Sequence, residues 1–244
     1  MANAMLNDTT FTPDAVAKQR AESSGAGTMT IGATILRGFV LLALLLVTAS
    51  YGWTNFYQVL GTNPWTYLIY FLALLGISFG AALVPKLSWI LGPGYALLSG
   101  LWIGAISKAY EAAYAGIVPQ AALATVAVFL AVLSLYTLRI VRVSNRFVQV
   151  VVAATLGMVV LYLSTFVLAL FGINVFALSW LGFAISLVAA IIASLNLFID
   201  FRFIEEGVAA DAPMYMAWYG AFGLLATLIW LYLEILRLLS YMRD

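Results

Sequence analysis

Apolar runs of about twenty residues recur along this chain with only short breaks between them, and that recurrence limits what it can become. A run of that length crosses the roughly 30 Å hydrocarbon core as an α-helix. A helix is also the form in which a single segment satisfies its own backbone N–H and C=O groups away from water. The runs predict helices at about 33–53, 66–85, 88–107, 119–138, 147–171, 177–199 and 213–239. Thr62–Asn63–Pro64 closes the first loop, Pro85–Lys86 the second, Val118–Pro119 the third and Gly172–Ile173–Asn174 the fifth. Gly92–Pro93–Gly94 predicts a kink near one end of the third helix. The expected fold is an all-α integral membrane protein, a bundle of seven transmembrane helices spanning 29–244 as one domain. Residues 1–28, with Asp8, Pro13, Asp14, Lys18, Arg20 and Glu22, lack the apolar density to pack and read as a flexible cytoplasmic tail. The first apolar run begins only after Arg37, too far from a basic start for a cleavable signal, so it reads as a retained membrane helix.

Composition removes whole classes of function. The chain is 65% hydrophobic and 9% charged, where soluble domains carry about a quarter charged residues. It has no Cys and no His, which excludes disulfides, thiolate or imidazole metal sites, Cys or His catalysis and a histidine switch. A net charge of +1 without a basic cluster gives no footprint for nucleic acid. There is no P-loop, no dinucleotide fingerprint and no pair of mid-helix Asp residues of the aspartyl-protease kind. No enzyme activity and no cofactor are expected; the partner of the chain is the lipid bilayer.

The cations set an orientation. With the N-terminus inside, Lys18, Arg20, Arg37, Lys86, Arg139, Arg142, Arg146 and Arg202 fall on the cytoplasmic side. Lys108, Arg237 and Arg243 fall outside. The bias places the N-terminus in the cytoplasm and, after seven crossings, the C-terminus outside. Gly76–Ile–Ser–Phe–Gly80 and Gly100–Leu–Trp–Ile–Gly104 are spacings that let helix backbones approach closely. Trp53, Trp65, Trp180 and Trp218 fit an interfacial belt.

Acidic residues in or beside hydrocarbon say more, because an ionised carboxylate at mid-bilayer costs about 2.5–3.5 kcal/mol even on the lenient insertion scale. Asp200 ends the sixth run, either as a helix-end charge in cytoplasmic water beside Arg202 or as a working group. Glu234 lies inside the last run, either as an i,i+3 pair with Arg237 snorkelling outward or as a second working acid. Lys86 occupies a tight turn, where a lone cation supports topology. Lys108 and Glu111 read as a solvated ion pair. Glu205, Glu206 and Asp211 make the sixth loop acidic, able to concentrate cations near a pore mouth.

Three stretches resemble the Bax inhibitor family, also called the transmembrane BAX inhibitor motif family, and its bacterial members in particular. One is Tyr95–Ala–Leu–Leu–Ser–Gly100–Leu–Trp–Ile–Gly104–Ala–Ile–Ser107, similar to the family's third helix. The next is Asp200–Phe–Arg–Phe–Ile204–Glu205. The last runs from Trp218 through Leu231–Tyr–Leu–Glu234–Ile–Leu–Arg–Leu–Leu–Ser240. The resemblance implies a calcium leak of the bacterial cytoplasmic membrane, gated by protonation. It implies two hydrogen-bonded acids on the sixth and seventh helices, with a basic residue after the second helix able to lock them. Asp200 matches the first acid, Glu234 the second with Glu in place of Asp, and Lys86 is the basic residue in that connection. Carboxylate oxygens are ligands a hard cation prefers, so Asp200 and Glu234 are also the candidate calcium ligands. Two carboxyls in contact would titrate as a unit and bias a two-state helix arrangement.

The spacing carries its own condition. Asp200 and Glu234 stand 34 positions apart. If the last helix starts near Pro213, Glu234 lies about 30 Å along its axis, towards the outer face. The two meet only if residues 207–217 form an extra segment and the helix starts later. A second reading is a non-conducting regulator that binds another membrane protein such as a protease complex, using its small-residue faces and tail. A transporter of small organic substrates is disfavoured, since neither an internal repeat nor polar midplane residues are evident.

Overall fold

The computed structural model describes residues 27–56, 58, 64–170 and 179–243, with isolated positions 12, 16 and 17 in the tail. Seven long α-helices follow one another: α1 (Ile31–Tyr51), α2 (Pro64–Leu83), α3 (Ser88–Ala113), α4 (Ile117–Thr137), α5 (Asn145–Leu170), α6 (Ser179–Ala209) and α7 (Tyr215–Tyr241). A single π turn, Gly52–Phe56, extends α1, and a 3₁₀ turn, Pro85–Leu87, joins α2 to α3. Six of these helices, together with the turns continuous with them, are long and apolar enough to cross a membrane; in α2 the apolar stretch so described is Leu72–Leu83. The fold is thus an all-α membrane bundle. The Gly–Pro–Gly stretch does not break α3, because Pro93 sits barely past the first turn, where few intrahelical bonds are there to lose.

α7 is the axis of the bundle, packing against α1, α3, α4 and α6. Its sequence explains this: Ala217, Gly220, Ala221 and Gly223 let neighbours close on it, and Phe222, Leu225, Leu231 and Leu236 fill the gaps. α2 packs on α3, and α5 packs on α6. The outer faces carry the large apolar side chains that meet lipid: Phe39 and Val47 on α1, Leu123 and Val126 on α4, Val150 and Val160 on α5.

The two GxxxG pairs behave differently. A methyl group at Gly100 would fall on the Leu45 carbonyl and the Thr48 hydroxyl, and one at Gly104 on the Ala49 carbonyl. These glycines are the contact surface for α1. Gly76 meets no neighbour within 4 Å. Trp180 is 72% exposed at the start of α6. Trp53 lies under the Lys108 ammonium (5.1 Å) and Trp218 under the Arg37 guanidinium (5.3 Å). The side chain of Trp65 and residues 62–63 lie outside the described part.

At the face with the most cations, Met29 N donates to Ala212 O (2.7 Å) and Thr28 bridges to Pro213. The segment before α1 is therefore tied to the turn between α6 and α7. At the other face Glu111 does not pair with Lys108. Its carboxylate accepts from Gly116 N (2.6 Å) and Val118 N (3.0 Å), satisfying donors at the start of α4. Gly116 there has φ of 79°, a left-handed conformation natural to glycine.

Candidate functional site

α6 is where the structure departs most from the sequence reading. The helix was expected to end at 199, leaving Asp200 at its tip; instead it continues to Ala209, and Asp200 lies a turn and more inside it. Polar contacts hold the added turns. Arg202 donates to Glu206 (2.6 Å), to Val143 O (3.0 Å) and to Asn145 Oδ1 (2.6 Å). Tyr136 and Arg139 both donate to Glu205. Glu205 and Glu206 therefore belong to a helix clamped onto the α4–α5 connection, not to a free acidic loop. Arg202 serves that clamp and forms no pair with Asp200.

Asp200 is 2% exposed, and among the described residues neither carboxyl oxygen has a hydrogen-bond partner. It faces α7 at Gly223, where a methyl group would stand 3.7 Å from Oδ1. The Thr227 hydroxyl stands beside it but directs its proton to Gly223 O (3.1 Å). The residue opposite Asp200 thus has no side chain with which to complete a carboxyl pair.

Glu234 is elsewhere. α7 begins at Tyr215 with no extra segment before it, so Glu234 lies eleven residues beyond Gly223, about 16 Å along the axis. The structure does not bring the two acids together. Glu234 is also 2% exposed, but it is held. Tyr162 on α5 donates to Oε1 (2.7 Å), and Arg237 donates to Oε1 (3.2 Å) and Oε2 (3.0 Å). The Arg237 guanidinium also lies over the Tyr162 ring, 5.8 Å from its centroid. The i,i+3 pair is real, but it is turned into the bundle rather than snorkelling out of it. Lys86 is exposed in the 3₁₀ turn after α2 and joins neither carboxylate's hydrogen-bond set. Among the described residues, no three His, Cys, Asp or Glu cluster as metal ligands.

Between the two carboxylates lies a cavity of about 250 Å³, bounded by α2, α3, α5, α6 and α7. Thr227 lines it towards Asp200, and Tyr162 lines it towards Glu234. Asn196 and Thr155 line it between them, joined by a 2.8 Å hydrogen bond from the Asn196 amide. Sequence reading passed over all four. Asn196 carried a signal, because it sits one helical turn before Asp200 and so shares its face. Thr155, Tyr162 and Thr227 carried none, since their importance comes from tertiary placement.

No curated protein matches the chain. A family model described as Bax inhibitor 1 like matches residues 5–244, almost its whole length. On that match, which agrees with the all-α membrane bundle, the chain belongs to the Bax inhibitor family.

Proposed function

We propose that this protein is a pH-sensitive cation leak of a bacterial cytoplasmic membrane, with calcium as the ion and Asp200 alone as the group whose protonation gates it. The observation that carries this reading is Asp200 itself, buried in a membrane helix with both oxygens unbonded. Such a group is expensive to keep in a bilayer and marks a functional site by default. Ionised, it offers a hard cation the oxygen ligand it prefers. Protonated, it loses the charge that it brings to the α6–α7 contact at Gly223, which changes the balance between two arrangements of those helices. Glu234 has a different part in this scheme: Arg237 already neutralises it, so it braces the outer half. Seven crossings with a cytoplasmic N-terminus accord with the cations of the α4–α5 connection and Arg202 near the end of α6 lying on the face of the Thr28–Pro213 bridge.

Calcium flux into proteoliposomes, at acidic and neutral pH, tests the reading. Flux in wild type that differs between the two pH values, with the difference lost in Asp200→Asn, is the expected result. No flux at any pH removes the leak and favours the non-conducting regulator. A pH response unchanged in Asp200→Asn removes the gate.

A further inference from the structure

The cavity between the carboxylates has a composition of its own. Besides Tyr162, four aromatic side chains line it, Tyr95, Trp102, Phe222 and Trp230, with Tyr95 set edge-on to Phe222 at 5.0 Å. Most of the remaining wall is aliphatic. The serine and threonine hydroxyls that line it spend their protons on the protein: Ser78 on Leu74 O, Ser99 on Tyr95 O, Thr155 on Val151 O and Thr227 on Gly223 O. These four offer a guest oxygen lone pairs, and the aromatic rings offer π faces; the Trp230 indole N–H on the same wall is a donor without a partner among the described residues. One turn along α6 from Asn196, and beside Thr227, stands Asp200 with its two unbonded oxygens.

Each of these features favours the same kind of guest. Aromatic faces attract organic cations, most strongly where water is excluded. Lone pairs receive N–H donors, and an uncompensated carboxyl calls for a positive charge. Apolar cavities smaller than this one, near 150 Å³, stay dry and take up molecules of benzene size. α2 and α5 both line the cavity, while α2 packs mainly on α3 and α5 on α6, so the space between α2 and α5 is the candidate way in from lipid.

We propose that the cavity binds a small hydrophobic ammonium ion arriving from the bilayer, its apolar body among the four rings and its N–H head towards Thr227 and Asp200. The site is argued from the cavity and from Asp200, so it stands or falls separately from the calcium leak.

The test uses the full chain in lipid nanodiscs at neutral pH, with 4-bromobenzylammonium as probe and 4-bromobenzyl alcohol as its neutral counterpart. Bromine quenches the fluorescence of the lining Trp102 and Trp230. Saturable quenching is expected, with the ammonium bound about tenfold more tightly than the alcohol. Asp200→Asn should bring the two within about twofold of each other, and Ala226→Phe, which fills the cavity, should abolish saturation. Leu123→Phe, on the lipid face, should change nothing. Equal binding of ammonium and alcohol by wild type would overturn the proposal. So would quenching that only rises linearly with probe, or saturation that survives in folded Ala226→Phe. If Ala226→Phe does not fold, the Asp200→Asn comparison decides alone. Binding without calcium flux would leave this site intact and remove only the leak.

Discussion

Tyr162 on α5 donates its hydroxyl proton to Glu234 on α7 at 2.7 Å, joining two helices that both contribute walls to the same cavity. That bond and the Arg237 pair hold the Glu234 carboxyl in place inside the bundle. Removing the carboxylate leaves the guanidinium largely buried and uncompensated, which is the costly way to break an ion pair. Glu234→Gln should destabilise by about 2–3 kcal/mol, below the full buried-pair value because Arg237 keeps some exposure. Tyr162→Phe should cost about 1 kcal/mol. Equilibrium unfolding in mixed micelles measures both, and a Glu234→Gln protein as stable as wild type would show that the pair contributes nothing.

Asp200 predicts the opposite sign. A buried carboxyl without a hydrogen bond lowers stability, as groups kept for function commonly do. Asp200→Asn should therefore raise the unfolding midpoint at neutral pH, by an amount equivalent to about 1 kcal/mol or more. A lower midpoint would mean that the carboxyl is stabilised by a partner.

The two glycine motifs can be separated by one methyl group each. Gly104→Ala drives a Cβ onto the Ala49 carbonyl, backbone that cannot yield without moving α1, and should cost about 2–3 kcal/mol. Gly76→Ala meets nothing within 4 Å and should be neutral or gain up to about 1 kcal/mol from helix propensity. Thermal unfolding of the pair checks this, and equal effects would refute the assignment of Gly104 as a helix contact.

Gly116→Ala places a side chain at φ of 79° in the turn before α4 and should cost about 1 kcal/mol, even though no atom obstructs the new methyl group. The same unfolding assay applies.

Helix existence was legible because a bilayer imposes a length, and six of the apolar runs meet it among the described residues. Helix ends were not. α6 outran its apolar run by ten residues because Tyr136, Arg139, Val143 and Asn145 supply partners for Arg202 and Glu205, contacts made across 57 to 69 positions of chain. Asp200 was legible as an acid too costly to be incidental. Its isolation was not, since that depends on Gly223 being the residue opposite. The place of Glu234 was arithmetic once α7 began at Tyr215, and the extra segment that would have shifted it does not form. Glu111 was misread because a charge six residues before the start of a helix can serve that helix's unpaired N–H groups instead of the nearest cation.

α2 packs mainly on α3 among the described residues. A helix held largely on one side meets lipid on the others, so the thickness of the surrounding bilayer should act on its tilt with little opposition from protein. The wall that α2 contributes to the cavity, at Leu74, Leu75 and Ser78, should then shift with that tilt. The interior of the protein would thereby respond to the acyl-chain length of its host membrane, a variable that cells adjust with temperature and growth.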